Sequence, residues 1–442
     1  MVIKLDWKED LKNKIENRSA IIGIVGLGYV GLPLATAFSK KFNVIGYNNT
    51  KDKVESLKRG KSYIEDIKDE EINLDVFDPT NDYKDLKNCD FIIIAVPTPL
   101  REDKSPDLSY IKKAGEEIGE ILKKGQFIIL KSTTYPGTTE EFLCPILEKE
   151  SNLKVIKDFG LAYSPERVDP GNKEYRIENT PNVVGGLNSK FTDLCAMLFE
   201  GISGDIIKVN DCKTAEAVKM IENIYRNVNI ALVNELSLIF EKMEIDIWEA
   251  IDAAKTKPYG FTPFYPGPGV GGHCIPLDPY YLSYRSKHFG IIPRFIETAG
   301  EINDFMPIHT LNLAKKGLKR IGKNLRNSNI LILGLAYKAN ISDTRESPAI
   351  TIIEELVEIG ANFKMYDPHV KSIKTRFGKY NSEENLDESL KWAHCLILLT
   401  NHNEFKKNKK LLNMINQQVV IVDTRNILNL NSTNKDLIHI KL

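Results

Sequence analysis

The sequence has no excess charge of either sign: 60 Lys and Arg stand against 60 Asp and Glu, for a formal net charge of zero. That excludes the broad positive field that gathers nucleic acid or an anionic membrane, so any phosphate-bearing ligand must be held by local features. Long apolar runs are missing too. No stretch approaches the ~20 residues that span a bilayer, so neither nucleic acid nor membrane is an expected partner. From Met1 to Arg18, Lys, Glu and Asp mix with Leu5, Trp7, Leu11 and Ile15. That spacing is of a short amphipathic helix, not the unbroken core of a signal peptide. Clustered cysteine is absent. Cys89, Cys144, Cys195, Cys212, Cys274 and Cys395 are scattered, with no CxxC and no Cys/His ligand spacing. A disulfide framework and a metal site are therefore not expected, and the pattern predicts thiols in a reducing compartment, the cytoplasm. The basic cluster Lys406-Lys407-Asn408-Lys409-Lys410 reads as a solvated face.

What is present is globular: 42% hydrophobic and 27% charged residues over 442 positions, enough for two or three domains. Short β-branched runs at Ala20–Val25, Asn43–Tyr47, Asp90–Val96, Phe127–Leu130 and Val183–Gly186 alternate with helical patterns such as Leu32–Lys40 and Lys51–Gly60. Unalternating apolar strands separated by helices predict a parallel sheet covered on both faces. From Lys213 to about Phe240 the pattern is helical without Pro or Gly, followed by a Pro/Gly-rich loop, Lys257 to Pro279, and more helix through Arg320. The last part echoes the first: strand Asn329–Leu333, a glycine at Gly334, helix Pro348–Ile359, and strands Asn362–Tyr366, Cys395–Thr400 and Val419–Val422. The expected fold is α/β, two Rossmann-like doubly wound lobes joined by a central helical region with a long helix. The expected divisions are residues 1–210, 211–320 and 321–442.

Gly26-Leu27-Gly28-Tyr29-Val30-Gly31 follows a strand and opens a helix. Glycine permits the tight turn and lets backbone N–H groups approach a pyrophosphate, which a helix N-terminus attracts. The strand–turn–helix context selects a dinucleotide over a plain turn. The acidic residue expected about 20 positions on, at the ribose, is replaced by Asn48. An amide still bonds a 2′-hydroxyl but does not repel a 2′-phosphate, so NAD is expected, with NADP tolerance open.

The segment from Tyr265 to Asp278, Tyr-Pro-Gly-Pro-Gly-Val-Gly-Gly-His-Cys-Ile-Pro-Leu-Asp, places a thiol two residues after the last of four glycines. Asp278 lies four residues beyond Cys274, which suits a helix beginning near the thiol, where thiolate is favoured. The other five cysteines read as small buried side chains. This loop resembles the active-site loop of the UDP-glucose/GDP-mannose dehydrogenase family, four-electron enzymes that turn a sugar C6 alcohol into a carboxylate. The resemblance extends through Val96-Pro97-Thr98-Pro99, Ser132–Thr138, Ser164–Asn172, Ala215-Glu216 with Lys219 and Asn223, Asp343–Pro348 and Asp423-Thr424-Arg425.

It implies that Cys274 traps the aldehyde as a thiohemiacetal that is oxidised to a thioester. Lys219 and Asn223, at i, i+4, would hold the oxyanion at C6; a surface pairing of Lys219 with Glu222 or Asp211 is the alternative. Glu166 would activate the hydrolytic water, Asp278 would work with Lys219 in the first proton removal, and Thr133 would place the water. The glycine loop with Tyr29 and Val30, together with Asn48, Thr98, Thr133 and Arg345, would hold the cofactor. Arg167, Tyr265, Gly269, Gly271, Lys338 and Arg425 would lie along the UDP-sugar with Glu166, Lys219 and Asn223. Arg345 and Arg425 have salt-bridging as an equal alternative, and His273 is a spacer or substrate contact.

Within the family, Ser164–Asn172 and the segment from Ala254 through Leu282 resemble the UDP-N-acetylglucosamine 6-dehydrogenases. Lys131, before Ser132-Thr133, is instead like the UDP-glucose branch. UDP-N-acetylmannosamine and UDP-glucose stay open as substrates, as does a non-catalytic nucleotide-sensing role. The resemblance also implies a homo-oligomer, a dimer or built from dimers, with Lys213–Phe240 at its interface.

Overall fold

The computed structural model describes residues 6–169, 171–172, 174–407, 418–428 and 437–442. Leu5 of the N-terminal pattern, Pro170 of the Ser164–Asn172 motif and residues 408–410 of the basic cluster lie outside them; Lys406 is exposed. The chain divides into two compact units: Met1–Glu222 with Tyr280–Ile291, and Asn223–Pro279 with Ile292–Leu442.

The first unit holds an eight-stranded sheet. Its strands are β1 (Ile21–Val25), β2 (Asn43–Tyr47), β3 (Phe77–Thr80), β4 (Phe91–Ile94), β5 (Phe127–Leu130), β6 (Gly160–Tyr163), β7 (Asn182–Gly186) and β8 (Ile206–Lys208). Their spatial order is β3-β2-β1-β4-β5-β6-β7-β8, so the chain reverses direction across the sheet between β1 and β4. Ligands bind at such a switch point, outside the carboxyl ends of the strands. Both faces are covered. Phe91 and Ile93 join one core with Phe127 and Ile129, while Ile92 and Ile94 join the other with Ile128 and Leu130. Each such side chain removed from water contributes about 1.5–3 kcal/mol, and this is why the strands read as unbroken apolar runs. Pro79 falls in β3, an edge strand, where its missing N–H costs no ladder bond.

The expected parallel order holds from β3 to β6 and fails at β7, which pairs antiparallel with β6. The cause lies in the connection. A parallel return needs a crossover of a dozen or more residues, usually helical. Residues 164–181 carry no helix among those described, so β7 begins at the end of the sheet where β6 stopped.

The second unit repeats the theme with β9 (Asn329–Leu333), β10 (Asn362–Tyr366), β13 (Cys395–Leu398), β14 (Val419–Asp423) and β15 (Leu437–Lys441), ordered β10-β9-β13-β14-β15 and parallel throughout. A hairpin of β11 (Ser372–Thr375) and β12 (Gly378–Asn381) sits apart from that sheet. Ile330 and Ile332 face one core, Leu331 and Leu333 the other. The echo of the first sheet extends to its turns. Gly26 after β1 has φ +93° and its N–H donates to the Tyr47 carbonyl; Gly334 after β9 has φ +92° and its N–H donates to Tyr366, both at 2.9 Å. A Cβ at either glycine would press on the neighbouring strand's exit, Ala95 O at 2.6 Å and Thr400 Cβ at 2.5 Å. Glycine is required at both.

A 32-residue helix, Cys212–Met243, matches the expected long helix, and the boundary between the units falls within it. Helix Arg294–Arg320 follows the Pro/Gly-rich loop. Among the described residues no helix is long and apolar enough to cross a membrane.

Candidate active site

In the first unit the glycine loop closes between β1 and helix Gly31–Ser39. A Cβ on Gly31 would lie 1.7 Å from the Gly26 carbonyl oxygen, so the third glycine packs the helix against the turn. At Gly28 a Cβ would meet nothing within 4 Å, leaving open space beside the backbone and the helix start. That cradle fits a pyrophosphate. Tyr29 is exposed and Val30 is the helix N-cap. Asn48, at the carboxyl end of β2, is buried; its side-chain oxygen accepts from the Thr50 N–H at 2.9 Å. Thr98 is buried and its carbonyl accepts from the Tyr281 hydroxyl, while half-buried Thr133 lies just past β5.

Glu166 follows β6 on the same edge of the sheet. Its backbone carbonyl accepts from the Lys219 ammonium at 2.6 Å, and one carboxylate oxygen accepts from the Val168 N–H at 2.7 Å. Lys219 is buried, 7% exposed, which decides against a surface pairing. Glu222 is committed instead to Arg167 at 2.7 Å, and Arg167 also donates to the Pro181 carbonyl.

In the second unit Asn223, one helical turn beyond Lys219, donates to the Asp278 carboxylate at 2.5 Å, with both side chains buried. The Asp278 N–H donates to the Cys274 carbonyl at 2.8 Å, and Asn227 holds the Ile275 carbonyl at 3.0 Å. The helix expected to begin near the thiol begins at Asp278. Cys274 therefore sits in the turn before it, with Pro276 between them. Cys274 is half-buried; the other five cysteines are buried, and no disulfide forms among the described residues. Burial pushes those of Cys89, Cys144, Cys195 and Cys395 up to about 12.

The glycines ahead of Cys274 thread a crowded passage. The Gly272 N–H donates to the Arg345 carbonyl at 2.9 Å, and a Cβ on Gly271 would stand 2.6 Å from Tyr337. Gly269 has φ +130°, a backbone region that side chains rarely adopt. His273 is half-buried, and desolvation with the nearby Arg345 charge keeps its pKa below the usual value, so it is neutral near pH 7. Arg345 forks onto Asp343 through Nε at 2.9 Å, which is its salt-bridging alternative. Arg425 donates to the Leu399 carbonyl at 2.8 Å, with its guanidinium against Gly267. Tyr265 stacks on Trp248 at 5.5 Å and 16°, its hydroxyl 3.1 Å from Asp252. Lys338 lies half-buried in the loop after β9.

Sequence reasoning assigns Glu216 no role in the chemistry. It is fully buried, and its carboxylate accepts from the N–H of Gly137, the N–H of Thr139 and the Thr139 hydroxyl at 2.5–2.8 Å. This ties the long helix to the segment after Thr133. The signal was available: Glu216, Lys219, Asn223 and Asn227 recur at helical spacing on the buried face, where apolar residues belong. His369, His402 and Glu404 have ligand atoms within 4.8 Å of one another. Both nitrogens of His402 are engaged, Nε2 with Asp367 at 3.0 Å and Nδ1 with the Asn340 N–H at 2.9 Å, so His402 braces the loop after β9.

The comparisons with known proteins decide the family. Models of the UDP-glucose/GDP-mannose dehydrogenase family match in order: its NAD-binding domain over residues 20–203, its central domain over 213–305 and its UDP-binding domain over 331–430. The chain belongs to this family. It is an NAD-dependent nucleotide-sugar dehydrogenase. It is 38% identical to the UDP-N-acetyl-D-glucosamine 6-dehydrogenase of Pseudomonas aeruginosa, over 87% of this chain and 91% of that one. It is 37% identical to the UDP-N-acetyl-D-mannosamine dehydrogenase of Methanocaldococcus jannaschii, over 95% and 94%. A solved UDP-D-ManNAc dehydrogenase from Pyrococcus horikoshii superposes with a TM-score of 0.86 at 32% identity, covering 95% of this chain and 99% of that one.

Proposed function

We propose that this UDP-sugar 6-dehydrogenase oxidises the C6 hydroxyl of a UDP-N-acetylhexosamine, UDP-N-acetylglucosamine first, to the uronic acid in two steps. The observation that carries the chemistry is the buried polar stripe of the long helix. Lys219 is fixed on Glu166, and Asn223 one turn later is fixed on Asp278, which is tied to Cys274. NAD, when bound, accepts a hydride from C6 in each oxidation.

The chain's own groups do the rest. Asp278 and Lys219 take the C6 hydroxyl proton, and the Lys219 ammonium with the Asn223 amide holds the oxyanion; each such donor is worth about 3–4 kcal/mol. The Cys274 sulfur adds to the aldehyde carbon as thiolate, its proton having passed to solvent, and the resulting thiohemiacetal oxyanion loses its hydride to become a thioester. Water placed by Thr133 then attacks the thioester carbon, giving its proton to Glu166 as the C–S bond breaks and Cys274 leaves as thiolate. Arg425, Lys338, Tyr265 and the Gly269–Gly271 backbone are assigned to the nucleotide-diphosphate end. We also adopt the division at residues 210 and 320.

The N-acetylglucosamine reading is supported by the Pseudomonas relative. UDP-N-acetylmannosamine is a second reading with support of its own, the Methanocaldococcus relative and the Pyrococcus structure. A panel of UDP-N-acetylglucosamine, UDP-N-acetylmannosamine, UDP-N-acetylgalactosamine, UDP-glucose and GDP-mannose, read as NADH, separates them. Turnover of UDP-glucose alone would sink both.

We further propose a homodimer through the long helix. Ile221, Tyr225, Leu232, Ile239 and Met243 are each 46–66% exposed and share one helix face. Sedimentation should give twice the chain mass, and a monomer at micromolar concentration would contradict it.

A further inference from the structure

Lys131 has no assigned part in the chemistry, yet it is among the most costly side chains in the first unit. It follows the last residue of β5 and its side chain is 4% exposed. Burying an ammonium costs several kcal/mol unless partners compensate, so packing alone would favour an apolar residue of similar length. Its partners converge on one turn. Nζ donates to the Pro165 carbonyl at 3.0 Å, with the Ser164 hydroxyl and a Glu166 carboxylate oxygen each at 3.5 Å. The Phe199 ring lies 5.2 Å beneath it.

The Ser164-Pro165-Glu166 turn is thereby held from two sides: Lys131 at the Pro165 carbonyl and the Glu166 carboxylate, Lys219 at the Glu166 carbonyl. Oε1 of Glu166 is held by the Val168 N–H while Oε2 faces Lys131. Beside the carboxylate lies a small cleft, lined by Leu34 and Val168, that also reaches Thr180, whose buried hydroxyl has no protein partner. Lys219 and Cys195 lie close enough to Lys131 to influence it electrostatically, and the Arg167 charge next to Glu166 is matched by Glu222.

We propose that Lys131 is a positioning residue for Glu166: its buried ammonium holds that carboxylate aimed, so that it accepts a proton when water opens the Cys274 thioester. The inference rests on the proposed role of Glu166. Water's oxygen bonds to the thioester carbon, its proton passes to Glu166, and the C–S bond releases the Cys274 thiolate; Lys131 exchanges no proton. Desolvation lowers the pKa of Lys131, and the Glu166 charge opposes that shift.

The test uses the full-length enzyme with NAD and whichever of UDP-N-acetylglucosamine and UDP-N-acetylmannosamine it turns over. In K131M, steady-state kcat should fall about tenfold behind a rapid burst of two NADH per active site, because the thioester accumulates. K131R should restore most of the steady-state rate and remove most of the burst. If K131M does not fold, K131Q carries the same test. The inference is overturned if E166Q shows the burst and the slow phase while K131M behaves as wild type. It is equally overturned if K131M slows the first NADH as much as the last, which would mark a merely structural role. If E166Q shows no slowed hydrolysis, the Glu166 role itself fails, and that result is distinguishable from the other two.

Discussion

Two glycines three residues apart in the first loop should fail in opposite ways. At Gly31 an alanine Cβ would lie 1.7 Å from the Gly26 carbonyl oxygen, 2.9 Å from its carbonyl carbon and 3.3 Å from Ile24. The first distance is roughly 2 Å inside non-bonded contact, and the obstacle is backbone, which cannot rotate aside. Helix Gly31–Ser39, with eight of its nine residues buried, would have to move off the sheet. Overpacking costs about 1–3 kcal/mol where side chains can yield, so G31A should cost about 3 kcal/mol or more. At roughly 2–4 °C per kcal/mol for a domain of this size, melting should fall by about 6–12 °C. At Gly28 an alanine would meet no protein atom within 4 Å, and the residue is outside the left-handed region. G28A should therefore leave stability within about 0.5 kcal/mol of wild type. Its methyl group would fill the space left for the pyrophosphate, so NAD affinity should fall at least about tenfold. Thermal unfolding of the apo protein and NAD titration calorimetry read the two effects separately. The reasoning is refuted if G31A melts with wild type, or if G28A binds NAD normally.

Three further outcomes follow from particular contacts. Burial raises the Glu216 carboxyl from 4.5 to about 7, so its native-state contribution is present below pH 4.5 and is lost as pH rises through 7. Wild-type stability relative to E216Q should fall by on the order of 2–3 kcal/mol between pH 4.5 and 8, and urea unfolding giving parallel pH profiles would contradict this. N48D keeps an acceptor for the Thr50 N–H and adds a charge that repels a 2′-phosphate; the NAD-over-NADP ratio in kcat/KM should rise by about tenfold or more, and an unchanged ratio would remove Asn48 from the ribose site. G271A places a Cβ 2.6 Å from Tyr337 and 2.8 Å from the Glu346 carbonyl; UDP affinity should fall by about tenfold with NAD affinity unchanged, and equal losses would argue against a nucleotide role for this loop.

Much of the fold was legible because burial on both faces leaves strands as apolar runs, and Asn43–Tyr47, Phe127–Leu130, Asn329–Leu333 and Asn362–Tyr366 have the bounds the sequence implied. What escaped had weaker local signals. Strands Phe77–Thr80 and Ile206–Lys208 lie at sheet edges, one containing Pro79 and the other partly exposed, so neither reads as a core run. The reversal at Asn182–Gly186 depends on how the connection from β6 returns, which local pattern does not encode. At the candidate site the residue types were legible and their partners were not. Glu216, Lys131 and the fork of Arg345 onto Asp343 are long-range or turn-specific pairings that only the folded chain reveals.

The central claim is a four-electron oxidation through Cys274. The most direct measurement is the amount of NADH formed per UDP-N-acetylglucosamine consumed, or per UDP-N-acetylmannosamine if that is the sugar turned over, with the product identified by mass spectrometry. The account predicts two NADH and a gain of 14 mass units, alcohol to carboxylate, with no uronic acid formed by C274S. A reproducible ratio of one with an aldehyde product, or undiminished acid formation by C274S, would contradict it.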